Sequence, residues 1–566
     1  MTYRAPADDH RFILDHVVDF TRVAGTGRFT EATPDTTAAI LTEAAKLCDD
    51  VVAPLNRAGD LTPARLENGV VRSSPGFAEG YRAIAAGGWI GLAANPAHGG
   101  MGLPMALNTA VNEMLSGACL ALQLKPLLTQ GQIEALEHHA SDDLKALYLP
   151  KLISGEWSGT MNLTEPQAGS DVGALRTKAE PNGDGTYAIT GQKIFITWGD
   201  SDITANVCHL VLARLPDAAP GTKGISLFMV PKFLPDAAGN PGQANSQKVV
   251  SLEHKLGIHG SPTCVMQFDG AKGWLVGGPN KGMAAMFTMM NNARLGVGAQ
   301  GVGVAEAALQ KAVAYAQDRV QGPTAEGVPG IIGHADVRRM LAEARAEVFA
   351  ARAISLACAV AIDMGTATGD AAWTARAAFL TPIAKAYGTD TGCRVADMGV
   401  QVHGGMGFIE ETGAAQYLRD ARITAIYEGT NGIQAMDLVG RKLMDGGEAA
   451  FRLIGEVEAT AAAARAALPD LANDLWQAAE TLREATEALL ALDMNDRFAG
   501  AVPYLRAFAL VLGGAFHLKA ALADPARVAL ARVMIRRLLP EHAALLARSR
   551  QGAADLYALS PEALAG

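Results

Sequence analysis

The residues with the clearest chemical potential lie in Arg422-Ile-Thr-Ala-Ile-Tyr-Glu-Gly-Thr-Asn-Gly-Ile-Gln434. Glu428 is a lone carboxylate between Tyr427 and Gly429, and a carboxylate can take up or give away a proton. A glycine beside it lets another backbone or a ligand come close. The same pattern suits a solvent-facing glutamate in the turn before a helix, so this segment alone leaves both readings open. Three more stretches carry hydroxyls, a lysine and paired glycines. They are Thr164-Glu-Pro-Gln-Ala-Gly-Ser-Asp171, Lys193-Ile-Phe-Ile-Thr197 and Gln401-Val-His-Gly-Gly-Met-Gly407.

Thr424, Ile426 and Ile423 predict an extended approach to Glu428, followed by a sharp turn through Gly432. Thr430 or Asn431 then caps a helix with apolar positions at Ile433, Met436 and Val439. Near the start, Thr33-Pro34 opens a helix whose predicted apolar face is Ile40, Ala44, Leu47 and Val51. Helical patterning continues to about Trp157, broken by a Gly-rich passage from Ala86 to Leu103. Leu210 to Arg214, Ile225 to Val230 and Cys264 to Phe268 are short β-type runs between turns. Helix returns from about Met283 to Ala316 and from about Ala335 past Met364. The last stretch is Ala-rich, with Leu475, Leu482 and Leu489 seven apart and Ala478, Ala485 and Leu492 completing the stripe.

The expected organisation is therefore α+β and mainly α: a helical unit at 1–158, a β unit at 159–278, a helical unit at 279–445 and a further helical unit at 446–566. A chain of 566 residues exceeds what one core serves. A net charge of −10 with no basic tract argues against nucleic acid as the main partner. The first ten residues lack the apolar core of a signal peptide, and no membrane insertion is expected. Six scattered cysteines without a Cys-x-x-Cys pair fit buried thiols in a reducing, cytoplasmic setting. His138-His139 are adjacent on a helix and point apart, so no metal site is expected. Gly296-Val-Gly-Ala-Gln-Gly301 fits a dinucleotide fingerprint, but no βαβ unit surrounds it. Its glycines are expected to let helices pack closely, and Met283, Met286, Met289 and Met290 to fill core.

In their order and separations, the four motif segments resemble the acyl-CoA dehydrogenase family over roughly residues 35 to 445. The resemblance implies that fold, with the β unit barrel-like and the last helical unit an addition. It implies FAD as cofactor and Glu428 as the base that removes the α-proton of an acyl-CoA. Met161, Thr164, Ser170, Phe195 and Thr197 then match the flavin site, although relatives often carry Trp at the place of Phe195 and some carry Tyr at that of Met161. Arg319 matches a pyrophosphate arginine, and Gln401, Gly404 and Gly405 match residues that reach the flavin of a neighbouring subunit. Gly322-Pro323 stands where relatives have an aromatic residue. Thr430 and Asn431 match further cofactor contacts. Ser170, Asn291 and Arg294 match contacts to CoA, and Tyr427, Gly429 and the backbone N–H of Glu428 fall at the thioester. Some members place the base just before the position of Arg294, but here that residue is Ala293.

Within the family, the motif wording and extended C-terminus resemble the branch that turns 3-methylmercaptopropionyl-CoA into 3-methylthioacryloyl-CoA in dimethylsulfoniopropionate breakdown. A short- or medium-chain dehydrogenase or an acyl-CoA oxidase is the alternative, and a DNA-associated relative is disfavoured by the charge. The resemblance further implies electron-transfer flavoprotein as acceptor and a homodimer in which residues 446–566 replace a second dimer.

Overall fold

A computed structural model describes residues 3–566, so the unit expected from residue 1 begins two residues outside the described chain. Helix α1, Pro34–Leu47, starts where its residues demand. Thr33 Oγ1 accepts the Thr36 N–H at 3.1 Å, and Pro34 occupies the first turn, where its missing N–H costs nothing. The predicted inner face is one position out. Thr37, Leu41, Ala44 and Cys48 are buried, while Val51 is 37% exposed. The helix runs on into a π turn, Cys48–Val52, whose wider turn brings Val52 inward instead of Val51. A hairpin, Arg65–Glu67 with Val70–Arg72, interrupts the predicted helical stretch. Asn68 and Gly69 form its turn at φ 51° and 77°, the left-handed pair that an Asn-Gly hairpin requires.

Helix α2, Met105–His139, is buried along nearly its whole length and breaks at Cys119 (φ −159°, ψ 95°). Near that break the Trp198 indole donates to the Ala121 carbonyl at 3.1 Å. The β unit follows as β1 Trp157–Asn162, β2 Lys178–Pro181, β3 Tyr187–Thr197, β4 Asn206–Ala213, β5 Ser226–Pro231, β6 Gln247–Leu252 and β7 Thr263–Val276. Their order is β1-β4-β5-β7-β3-β2, with β6 paired to β7 and only β1–β4 parallel. The β unit is barrel-like without being a closed barrel: β1 and β2 stand at opposite ends of the strand order, and a bridge joins Lys178 of β2 to Arg214 just after β4. The long β7, bent by bulges after Cys264 and Asp269, pairs with β3 and β6 along its first part and with β5 at its end. This divides the sheet rather than closing it.

Three long helices follow: α3 Gly282–Asp318, α4 Ala335–Thr368 and α5 Ala371–His403. The glycines of the apparent dinucleotide motif lie inside α3. A Cβ on Gly298 would sit 2.7 Å from the Ala384 carbonyl, and one on Gly388 would sit 2.6 Å from that of Gly298. They allow α3 and α5 to touch backbone to backbone. Beyond the short α6, Asn431–Asp437, come α7 Pro469–Ala491 and α8 Ala501–Ala523. Leu475, Leu482 and Leu489 are fully buried with Ala478 and Ala485. The added helices rest on their own chain: α8 packs on α4, His517 Nε2 donates to the Ala346 carbonyl at 2.9 Å, and Arg527 pairs with Asp9 at 2.8 Å. Stretches of α4 and α8 are apolar and long enough to cross a membrane, yet 89% and 83% of those stretches lie buried inside the fold. Among the described residues all six cysteines are free thiols, and no group of three His, Cys, Asp or Glu could hold a metal ion.

Candidate active site

The approach to Glu428 is not extended. Arg422–Ala425 forms a 3-10 turn in which Thr424 Oγ1 donates back to the Ala421 carbonyl at 2.7 Å, and that local bond outcompetes a strand. The sharp turn and the cap are as expected. Glu428 and Gly429 adopt φ 55° and 81°, and Thr430 Oγ1 accepts the Ile433 N–H at 3.3 Å to start α6. A left-handed glutamate costs on the order of 1–2 kcal/mol, so its surroundings must hold it. Gln434 Nε2 donates to the Glu428 carbonyl at 3.0 Å, and Lys385 Nζ donates to the Gly429 carbonyl at 2.9 Å. Tyr427 donates its hydroxyl proton to Gln300 Oε1, and Gln300 Nε2 donates to Gln123 Oε1 at 2.7 Å.

Glu428 is half-buried, and burial pushes its carboxyl up to about 7 against the opposing charges of Arg294 and Lys385. The two cations arrive on the helices that the glycines bring together, Arg294 on α3 and Lys385 on α5. Burial pulls the Lys385 ammonium down to about 8, with Glu428 and Asp390 acting the other way. Arg294 is likewise lowered by burial, its Nε is buried without a hydrogen-bond partner, and Asn291 Oδ1 lies 3.5 Å from its Nη1. A base near neutrality beside an arginine with bonding capacity left over suits proton abstraction from a bound anionic ligand.

The β unit gathers a second group. Ile194 N–H donates to the Thr164 carbonyl at 2.9 Å, while Lys193 Nζ donates to the Leu163 carbonyl at 2.9 Å and to Glu165 Oε1 at 2.8 Å. These bonds lock the end of β3 to the loop after β1. They bring Phe195 and Thr197 to the stretch holding Met161 and Thr164. Phe195 is 59% exposed at φ 61°, whereas Met161, Thr164 and Thr197 are half-buried. Ser170 is exposed on the loop beyond.

Arg319, Gln401, Gly404 and Gly405 stand apart. Arg319 is exposed just beyond the end of α3, about 37 Å along the helix from Arg294 at ~1.5 Å per residue. Gln401 and both glycines are exposed at the end of α5, and a Cβ on either glycine would meet nothing within 4 Å. One subunit does not bring them to Glu428. Sequence reasoning missed the groups that hold the site: Lys385, Gln434 and the Glu165–Lys193 pair. A lone lysine in Pro382-Ile-Ala-Lys385-Ala-Tyr387, fully buried in the fold, was the available signal.

Comparison with known proteins gives this geometry its context. The acyl-CoA dehydrogenase N-terminal, middle and C-terminal domain families match residues 34–156, 160–271 and 280–444, and an acetyl-CoA dehydrogenase C-terminal-like family matches 453–560. A 3-methylmercaptopropionyl-CoA dehydrogenase of Ruegeria pomeroyi is 46% identical over 520 residues, covering 89% of this chain and 88% of that protein. The structure of butyryl-CoA dehydrogenase from Megasphaera elsdenii aligns at TM-score 0.60 and 28% identity, over 72% of this chain and 97% of that one. Caenorhabditis elegans ACDH-11 in complex with C11-CoA aligns at TM-score 0.76 and 20% identity over 95% and 92%, a likeness of fold that includes the added helices. FAD, the cofactor of such enzymes, fits the residues present. Phe195 presents an exposed aromatic ring two residues before Thr197, on the strand whose Ile194 N–H is bonded to the Thr164 carbonyl. With three domain families matched in order along most of its length, the chain belongs to the acyl-CoA dehydrogenase family, oxidoreductases that use FAD to oxidise the CH–CH bond of an acyl-CoA.

Proposed function

We propose that this chain oxidises 3-methylmercaptopropionyl-CoA to 3-methylthioacryloyl-CoA in dimethylsulfoniopropionate breakdown, with Glu428 as the base. The observation that carries the substrate is the 46% identity, over 89% of this chain, to the Ruegeria pomeroyi enzyme of that name. Bound FAD supplies the acceptor for the β-hydrogen, since no side chain takes a hydride usefully. Every other task falls to the chain. Glu428 takes the α-proton, and its backbone N–H, presented by the left-handed turn, faces the thioester oxygen and acidifies that proton. Arg294 and Asn291 hold the CoA portion, with Ser170 at its outer end and Tyr427 and Gly429 lining the thioester. Met161, Thr164, Phe195, Thr197, Thr430 and Asn431 hold the flavin. The units at 159–278 and 279–445 carry these residues, flanked by those at 1–158 and 446–566, and electron-transfer flavoprotein takes the electrons away.

Purified holoenzyme should bleach its flavin with 3-methylmercaptopropionyl-CoA and with valeryl- or butyryl-CoA. A thioether sulfur and a CH₂ differ little in shape, and an apolar pocket separates such pairs by only about 1–3 kcal/mol. A titration in which long-chain acyl-CoAs far outpace both would reject this substrate class.

We further propose a cytoplasmic homodimer. Arg319, Gln401, Gly404 and Gly405 are exposed and distant from their own Glu428, which suits service to the flavin of a second subunit. The free thiols suit a reducing compartment. Residues 446–566 cover the helical surface that a second dimer would otherwise occupy. Light scattering should give twice the 58.9 kDa chain mass. A stable tetramer, or a monomer that keeps full activity, would refute this arrangement.

A further inference from the structure

We propose that Lys385 is a positioning residue for the base: its ammonium clamps the Glu428–Gly429 turn and its charge sets how basic Glu428 is. The proposal rests on the reading of Glu428 given above. Lys385 is fully buried on α5, and among the described residues it forms no ion pair within 4.0 Å. Its two bonds go to the catalytic loop, to the Gly429 carbonyl at 2.9 Å and to Asn431 Oδ1 at 2.8 Å. Asn431 is held in that sense because its Nδ2 donates to Asp390 Oδ1 at 2.7 Å and to Thr389 Oγ1 at 3.0 Å. A buried cation without a carboxylate partner is expensive to keep, and here its bonds fall on the residues just after Glu428.

The charges around the pair are few. Glu428 faces Arg294 from α3 and Lys385 from α5, while Lys385 is faced by Glu428, Asp390, Arg294 and Cys393. Arg294 is itself faced by Asp437 and Arg441. Lys385 and Arg294 both favour the ionised base, and Lys385 alone is bonded to the loop that carries it. The close α3–α5 crossing at Gly298 and Gly388 puts both cations there. The apparent dinucleotide motif therefore bears on catalysis through helix packing.

The test uses FAD-loaded Lys385→Met and Lys385→Gln proteins beside Glu428→Gln. Infrared difference titration reads the Glu428 carboxyl directly, with the Glu428→Gln spectrum subtracted. Flavin bleaching by saturating acyl-CoA is followed from pH 6 to 9. Loss of the charge should raise the titration midpoint by about one unit or more in both Lys385 variants. At pH 7 the bleaching rate should fall roughly five-fold or more, with recovery toward the parent at pH 9. Lys385→Gln, which keeps an N–H donor for the Gly429 carbonyl, should retain the higher plateau. An unmoved midpoint, a rate loss uniform across pH, or the failure of both variants to retain FAD would overturn the proposal. Normal turnover by Glu428→Gln would instead overturn the reading of the base itself, so the two failures are distinguishable.

Discussion

Glu428→Gln should retain FAD and bind acyl-CoA, yet reduce its flavin at least about 10²–10⁴-fold more slowly than the parent. Glutamine keeps the size of the side chain and can occupy the same left-handed turn, but its amide cannot accept the α-proton. Single-turnover bleaching of the flavin band checks this, and undiminished bleaching would remove Glu428 from the mechanism. The pH dependence has a definite sign. The base works as carboxylate, and burial holds its carboxyl at about 7, so the parent rate should climb as pH rises through 7. A carboxyl raised from its ordinary 4.5 favours the fold below that value, and this contribution is lost as pH rises through about 7. Glu428→Gln should therefore melt no lower than the parent at pH 8. A site tuned for proton abstraction is held against the stability of its own loop.

What was legible in the sequence followed local rules. Thr33 with Pro34, and Thr430 before α6, cap helices because a hydroxyl at that place satisfies an otherwise orphaned N–H. The Leu475, Leu482 and Leu489 stripe is buried because a seven-residue spacing keeps one helix face. Where competing local signals met, the reading erred. Asn68-Gly69 makes a hairpin inside a stretch that scans as helix, and the Thr424 hydroxyl curls a stretch whose β-branched residues suggest a strand. That the barrel-like sheet does not close was beyond reach, because closure depends on where the long β7 bends. Long-range pairs were invisible for the same reason. Lys385 lies 44 residues from the Gly429 carbonyl it holds, and Lys193 lies 28 from Glu165. No periodicity links positions so far apart. The motif residues themselves were found through family resemblance, while the side chains that hold them emerge only in three dimensions.

Glu165→Ala should be the most damaging single change outside the base. Lys193 is fully buried and Glu165 is 4% exposed. The Glu165 carboxylate also accepts Thr177 N–H at 3.0 Å, Thr177 Oγ1 at 2.6 Å, Arg176 N–H at 2.7 Å and Gln167 Nε2 at 2.7 Å. These donors and the Lys193 charge hold its carboxyl down at about 2, although burial pulls the other way. Lys193 is also lowered, to about 8, because burial outweighs its one carboxylate. Removing Glu165 strands the ammonium with only the Leu163 carbonyl and orphans Thr177, at a cost of about 3–5 kcal/mol. The end of β3 then keeps only the Ile194–Thr164 and Lys193–Leu163 bonds to the loop bearing Thr164, so FAD should wash off in gel filtration and the denaturation midpoint should fall. The Glu165 contribution is present above about pH 4.5 and is lost as pH falls toward 2, so parent and variant should converge in acid. Glu165→Ala combined with Lys193→Met should recover most of the stability, because an apolar replacement leaves no stranded charge. It should not recover the flavin, because the bond to the Leu163 carbonyl is gone as well. A Glu165→Ala protein that melts with the parent and elutes fully yellow would show that the pair does not hold the flavin segments together.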